Sequence, residues 1–241
     1  MAAELIKKFS LIKPRAGLGH AAFLDYWRMQ HGPLVAGMPA FWRHYERYIQ
    51  NHVRPPKRPG QPAPAYTGVA EFWERELTEA PRRFHQETIY REQVRPDELK
   101  FVDVADAAIV QAKEHVMLDG PRAKVKFMSF MRRRPDVTHE QFLRQWHDVP
   151  APLVASTQGF WKHVRRYVHN HCIEGSTRGY VDKGRGPGGE ITAIAELWFD
   201  SVDDYKAAAA DPAIALIQEY ENRFSDQPSF RLVVEEVEFQ V

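Results

Sequence analysis

His31 closes the stretch WRMQHGPLV, and Phe23 and Trp27 precede it at intervals of four residues. A helix would carry the three on one stripe with the imidazole last. A histidine in that place can complement the negative end of the helix dipole, or take and give a proton near neutral pH. A second group lies further along. Strand alternation through YIQNH puts Tyr48, Gln50 and His52 on one face, continued backward by His44 and Trp42. Trp161, His163, Tyr167, His169 and His171 hold the matching places later in the chain. Rings supply apolar contact, while phenol and imidazole groups supply a few oriented donors, so this face suits a cavity for an aromatic ligand.

Metal chemistry is the competing use of so many imidazoles. His169 and His171 are spaced i, i+2, with His163 further back. No Asp, Glu or Cys pattern completes a coordination motif, and Gln50 occupies the position of His169 in the first half, so no metal is expected. Nothing in the sequence calls for haem. GRGPGG at 184–189 has neither the strand-turn-helix context nor the Lys-Ser/Thr ending of a phosphate loop. No cofactor is therefore expected.

The elements that must position these residues come in two copies. WRMQHGPLVAG at Trp27 to Gly37 returns as WHDVPAPLVAS at Trp146 to Ser156, with Pro150 in the place of His31. The register holds without a gap from His20 on His139 through Asn51-His52 on Asn170-His171, and VAEFW at Val69 then meets IAELW at Ile194. Each half reads strand, helix, strand, strand, helix, strand, the split βαβ order. The second strands are expected over about Trp42 to Val53 and Trp161 to Ile173. Thr138 to Gln141 forms a capping box before the second copy of the helix, and Asp211-Pro212 interrupts the last one. The predicted domains are 1–118 and 119–241. Because a four-stranded sheet with both helices on one side leaves its other side bare, the halves are expected to cover each other as an intrachain pseudo-dimer.

Charge and cysteine content exclude several classes. Lys and Arg number 33 against 32 for Asp and Glu, which does not suit a protein that coats nucleic acid. The N-terminal MAAELIKKFSLIKPR contains no secretory or membrane-spanning segment, so a cytoplasmic protein without membrane partners is expected. The single cysteine, Cys172, rules out an internal disulfide and reads as a small buried hydrophobe. Asn51 and Asn170, on the opposite strand face, read as structural amides.

The combination H-x-x-F-x-x-x-W-x-x-x-H-x-P-L-V over His20 to Val35, RYIQNHV at Arg47 to Val53 and VAEFW at Val69 to Trp73 resembles the EthD family of the dimeric α+β barrel superfamily. The resemblance spans nearly all of both halves and departs at Pro150. It implies an α+β fold of two tandem ferredoxin-like units forming a barrel, and a pocket for a small aromatic or hydrophobic ligand. Family members in fungal polyketide pathways decarboxylate aromatic acids, and the family pattern places a histidine at His31. The expected function is accordingly cofactor-independent proton transfer of the lyase or isomerase type (decarboxylation, isomerisation or cyclisation) on an aromatic or polyketide-like substrate. His31 would be the acid/base and Tyr48 and His52 would orient the substrate, with Trp27, Trp42, His44, Tyr167 and His171 binding it. The alternatives are a non-catalytic accessory protein that holds a hydrophobic metabolite, and a cofactor-free oxygenase. Further homo-oligomerisation is left open.

Overall fold

The duplication in the sequence is a duplication of a folding unit. The computed structural model describes residues 5–55, 63–75, 83–180 and 189–240. The chain divides into one unit of residues 1–113, 175–189 and 236–241, and a second of 114–174 and 190–235. The first opens with β1 (Ile6–Ile12), α1 (His20–Tyr26), a π-helical turn (Trp27–His31), α2 (Gly32–Ala36), α3 (Pro39–His44), β2 (Tyr45–Val53) and β3 (Gly68–Glu74). A second π turn (Tyr90–Val94), α4 (Arg95–Phe101) and β4 (Ala108–Leu118) follow. In this unit β1 pairs antiparallel with β3 and β4, and β3 with β2, giving the order β4-β1-β3-β2.

The second half continues with β5 (Val125–Arg133), α5 (His139–His147), α6 (Ala151–Ser156), α7 (Gln158–Trp161), β6 (Arg166–Cys172) and the short β7 (Arg178–Gly179). It ends with β8 (Ala193–Phe199), α8 (Val202–Ala210), α9 (Ala213–Glu221) and β9 (Ser225–Phe239). Here β8 joins β5 and β6, and β9 flanks β5, so the order β9-β5-β8-β6 repeats that of the first unit. The chain is α+β, with two tandem ferredoxin-like units, as the residue pattern implied. No helix among the described residues is long and apolar enough to cross a membrane.

Prolines explain where the helices depart from expectation. Trp42 and His44 do not continue the second strand: Pro39, with its φ preset, is the first residue of α3, which carries both. Strand β2 begins only at Tyr45. The same correction applies in the second half, where Trp161 ends α7, His163 follows it, and β6 starts at Arg166. Pro33 has a subtler effect. It has no N–H to return to Met29, and the chain widens into the π turn Trp27–His31, whose end is closed by Gly32 N–H on the Trp27 carbonyl. In the second half Pro150 disfavours helix at Val149, and α5 stops at His147. The exchange of His31 for Pro150 therefore removes a helical turn as well as an imidazole. The capping box is formed, Thr138 Oγ1 accepting from Gln141 N at 3.2 Å while Gln141 Oε1 accepts from Thr138 N at 2.9 Å.

Each sheet buries both faces. On one, Tyr48 packs among Phe41, Trp27, Phe23 and Phe72 in the first unit, and Trp146, Phe142 and Leu197 share the core of the second. The other face carries buried charge: Lys7 pairs with Glu71 at 3.0 Å, and Lys126 pairs with Glu196, all four side chains being 0% exposed. Asn51 Nδ2 donates to Glu71 at 2.7 Å and Asn170 Nδ2 to Glu196 at 2.9 Å, so both asparagines tie neighbouring strands together. Cys172 is buried.

Gly68 fixes how closely β3 approaches the first helical segment. A Cβ there would stand 2.4 Å from Cζ3 of Trp27, whereas one at Gly19 would meet nothing within 4 Å. Gly68→Ala is expected to cost about 1–3 kcal/mol by overpacking, read as a lowered denaturation midpoint.

Candidate functional site

The π turn brings His31 inward. The residue is 7% exposed, and its Nδ1 lies 2.9 Å from Asp97 Oδ2. Asp97, in the first turn of α4, also accepts from the Tyr26 hydroxyl at 2.6 Å and the Lys100 ammonium at 3.1 Å. Burial pushes the Asp97 carboxyl up, but the hydrogen bonds from His31, Tyr26 and Lys100 outweigh it and hold the group well below the usual carboxylate range. The carboxylate on Nδ1 fixes the ring's orientation and leaves Nε2 as the ring nitrogen that Asp97 does not engage.

The strand residues form a second, connected network. Gln50 Oε1 lies 2.9 Å from His52 Nε2, so that nitrogen carries the hydrogen. The Gln50 amide donates in turn to the Trp27 carbonyl at 2.9 Å and to the Tyr48 hydroxyl at 2.8 Å. His52 stacks on the Trp27 ring at 5.1 Å. The network touches the His31 segment through Gly32, where a Cβ would fall 2.9 Å from Gln50 Nε2 and 2.2 Å from the Phe239 ring. Burial, reinforced by the Arg28 charge, lowers His52 to about 4. It is neutral at physiological pH and positions groups by hydrogen bonding rather than by charge. Burial pushes the Tyr48 phenol well above its ordinary value, which keeps it a neutral hydroxyl.

Trp42 and His44 lie apart from this network. Trp42 Nε1 donates to the Ala36 carbonyl at 2.6 Å, and His44 Nε2 meets Glu87 at 2.6 Å. Trp42 lines an open cleft of about 420 Å³ with Leu5, Trp73, Arg47 and Phe239. Phe239 also stacks on Tyr48 at 5.1 Å, so one ring is common to the cleft and the network. Of the loops between second and third strands, residues 56–62 and 181–188 (most of the glycine-rich GRGPGG) lie outside the described residues.

The second half replaces the His31 set as a group. Phe101 packs on Phe23 at 5.6 Å as Phe224 packs on Phe142 at 5.1 Å. That correspondence puts Tyr220 in the place of Asp97 and Gln145 in the place of Tyr26, and the Tyr220 hydroxyl donates to the Gln145 carbonyl at 2.7 Å. Histidine, aspartate and tyrosine are lost together. Asp97 is the residue that sequence reasoning missed: its partner is distant in the chain and it sits in the charged run RPDELK. The signal available was this same contrast between the halves.

Tyr167 and His171 occupy the second half's own cluster. The Tyr167 hydroxyl lies 2.5 Å from His169 Nε2, and His169 stacks on Trp146 at 3.6 Å and 8°. Burial and neighbouring imidazoles lower His169 to about 2 and His171 to about 4. Burial raises the Tyr167 phenol, with Glu221 adding to it. His163 stands elsewhere, its Nδ1 3.6 Å from Asp204. Glu221 itself is raised to about 7 by burial, against the opposing charge of Arg231. A folded-state pKa above the ordinary 4.5 gives stability that is complete below 4.5 and lost as pH rises through about 7. Glu221→Gln is expected to remove that loss, so melting scans should show the variant gaining on wild type between pH 5 and 8; parallel curves would show that Glu221 titrates normally.

Comparison with known proteins gives the family and the fold. The EthD domain profile matches residues 15–105 and 134–228, one match in each half. No curated protein matches the chain. Among solved structures, an anthrone oxidase-like protein superposes with a TM-score of 0.62 at 12% identity, over 98% of this chain and 92% of its own. A candidate monooxygenase from Fusobacterium nucleatum superposes with a TM-score of 0.55 at 6% identity, over 100% of this chain and 94% of its own. At such identities the likeness is one of fold, that of the dimeric α+β barrel proteins. With a family match in each repeat covering most of the sequence, the chain belongs to the EthD family as a tandem duplication of its domain.

Proposed function

We propose that this chain is a cofactor-independent enzyme that moves a proton on a small, oxygenated aromatic or polyketide-like substrate, with decarboxylation, isomerisation or cyclisation as the outcome. His31 is the general acid/base through Nε2, Asp97 orients it, and Tyr48, held by Gln50 and His52, donates a hydrogen bond to a phenol or carbonyl oxygen of the substrate. Trp27 supplies the apolar wall. The observation that carries the reading is the 2.9 Å bond from His31 Nδ1 to a carboxylate that Tyr26 and Lys100 also hold. A base positioned by a third group is the arrangement acid/base catalysis needs, and the second half has discarded every part of it.

A second reading shares the first step. The fold likeness to an anthrone oxidase-like protein favours a cofactor-free oxygenase, in which the carbanion made by proton loss would react with dioxygen. Anthrone, whose methylene carbon is acidic, serves as the probe, together with hydroxylated aromatic carboxylic acids, in deuterated buffer on an oxygen electrode. Deuterium incorporation or carbon dioxide release without oxygen uptake supports the lyase or isomerase reading. Oxygen consumed in step with anthraquinone formation moves the chain to the oxygenase class. No turnover, with a small molecule retained by the purified protein in native mass spectrometry, would make it a binding protein and overturn the proposal.

A further inference from the structure

The second half gathers three imidazoles into a cluster of which the first half keeps only one counterpart, His52. His147 ends α5, and His169 and His171 project from one face of β6. One ring nitrogen from each lies within 4.8 Å of the others. His115, on the tail of β4, packs its ring 4.1 Å from that of His171 and 5.9 Å from that of His147. Two nitrogens in this group, His169 Nδ1 and His171 Nε2, are buried with no hydrogen-bond partner among the described residues. A buried polar atom without a partner costs free energy unless something binds it. Opposite each of these histidines the first half has Arg28, Gln50 and His52, which could not form the same site.

We propose that His147, His169 and His171 bind a divalent transition-metal ion, with a fourth coordination position left open to water or an anionic ligand. An all-imidazole set suits zinc, nickel, cobalt or copper and not magnesium or calcium, which take oxygen ligands. His169 is already prepared for the role. Its Nε2 faces the Tyr167 hydroxyl at 2.5 Å, and the Trp146 ring fixes its plane at 3.6 Å. When Nε2–H donates to the phenol oxygen, the lone pair is on Nδ1, and a metal-binding histidine characteristically has its second nitrogen held in this way. Nitrogens around a tetrahedral zinc ion stand about 3.4 Å apart, given bonds of about 2.0–2.1 Å. The present spacing of up to 4.8 Å must therefore contract on binding, and His147, exposed at the helix end, is the ligand with most room to move. The sequence argued against a metal because no Asp, Glu or Cys pattern completed the set and Gln50 stands opposite His169; the third imidazole it offered was His163, whereas the fold brings His147 to the pair.

The test is a titration of the purified, tag-free chain with cobalt(II), followed by its visible absorption and by competition with zinc(II). One equivalent of cobalt should give the intense bands of four-coordinate geometry, and zinc should abolish them and raise the melting temperature. His147→Ala, which changes an exposed side chain and so should not disturb folding, should weaken binding by at least about tenfold; His171→Ala should do the same, and His163→Ala should change nothing. Absence of the bands with cobalt in excess would overturn the site. So would bands that persist unchanged in His147→Ala and His171→Ala, which would place the ion elsewhere on the chain.

Discussion

His31→Ala is expected to lower turnover of a proton-transfer substrate by about 10²–10⁴-fold, the usual contribution of a positioned general acid/base, while the protein remains folded. Asp97 keeps Tyr26 and Lys100 after the change, so its carboxylate is not left without donors. His31→Gln separates chemistry from packing. Its amide can still donate to Asp97, yet it cannot exchange a proton, and it should lose as much activity as the alanine variant. If His31→Gln retained activity, the imidazole would be a structural ligand of Asp97 and the proton would move elsewhere.

The largest expected effect on stability comes from the opposite face of the sheet. Glu196→Ala strips Lys126 of the carboxylate it pairs with at a position where both side chains are 0% exposed. Removing one partner of a buried ion pair costs about 3–5 kcal/mol. For a chain of this size each kcal/mol is about 2–4 °C, so the melting temperature should fall by roughly 10 °C. Replacing the pair together, Lys126→Met with Glu196→Leu, should recover most of the loss because neither charge of the pair is then left buried without the other. Asn170 would keep its bond to the Ile194 carbonyl at 3.0 Å. A Glu196→Ala protein as stable as wild type would mean that the pair contributes nothing to holding β5 to β8.

The duplication, the succession of elements in each half and the placement of Tyr48, Gln50 and His52 on one face were all legible, because period-two alternation and gapless repeats are local properties of a sequence. Trp42 and His44 were misplaced because aromatic-rich residues before a strand carry the same alternation as the strand itself, and Pro39 as a helix-starting residue was the discriminating signal. The His31–Asp97 pair joins residues from two helices distant in the chain, and no periodicity encodes such a contact. The imidazole cluster was hidden for a similar reason: β4 runs on to Leu118, past Ala112, the last buried residue of its alternating pattern, and so carries His115 back toward β6.

On the proposed mechanism His31 and Asp97 act as one acid/base unit, present in the first half and removed whole from the second. A double-mutant cycle tests it most directly: turnover of wild type, His31→Ala, Asp97→Asn and the double variant, each with its melting temperature. Each single change should cost at least about 10²-fold, and the double should be little worse than His31→Ala, since groups that act together lose activity non-additively. Losses that simply multiply, or an Asp97→Asn enzyme as active as wild type, would contradict it.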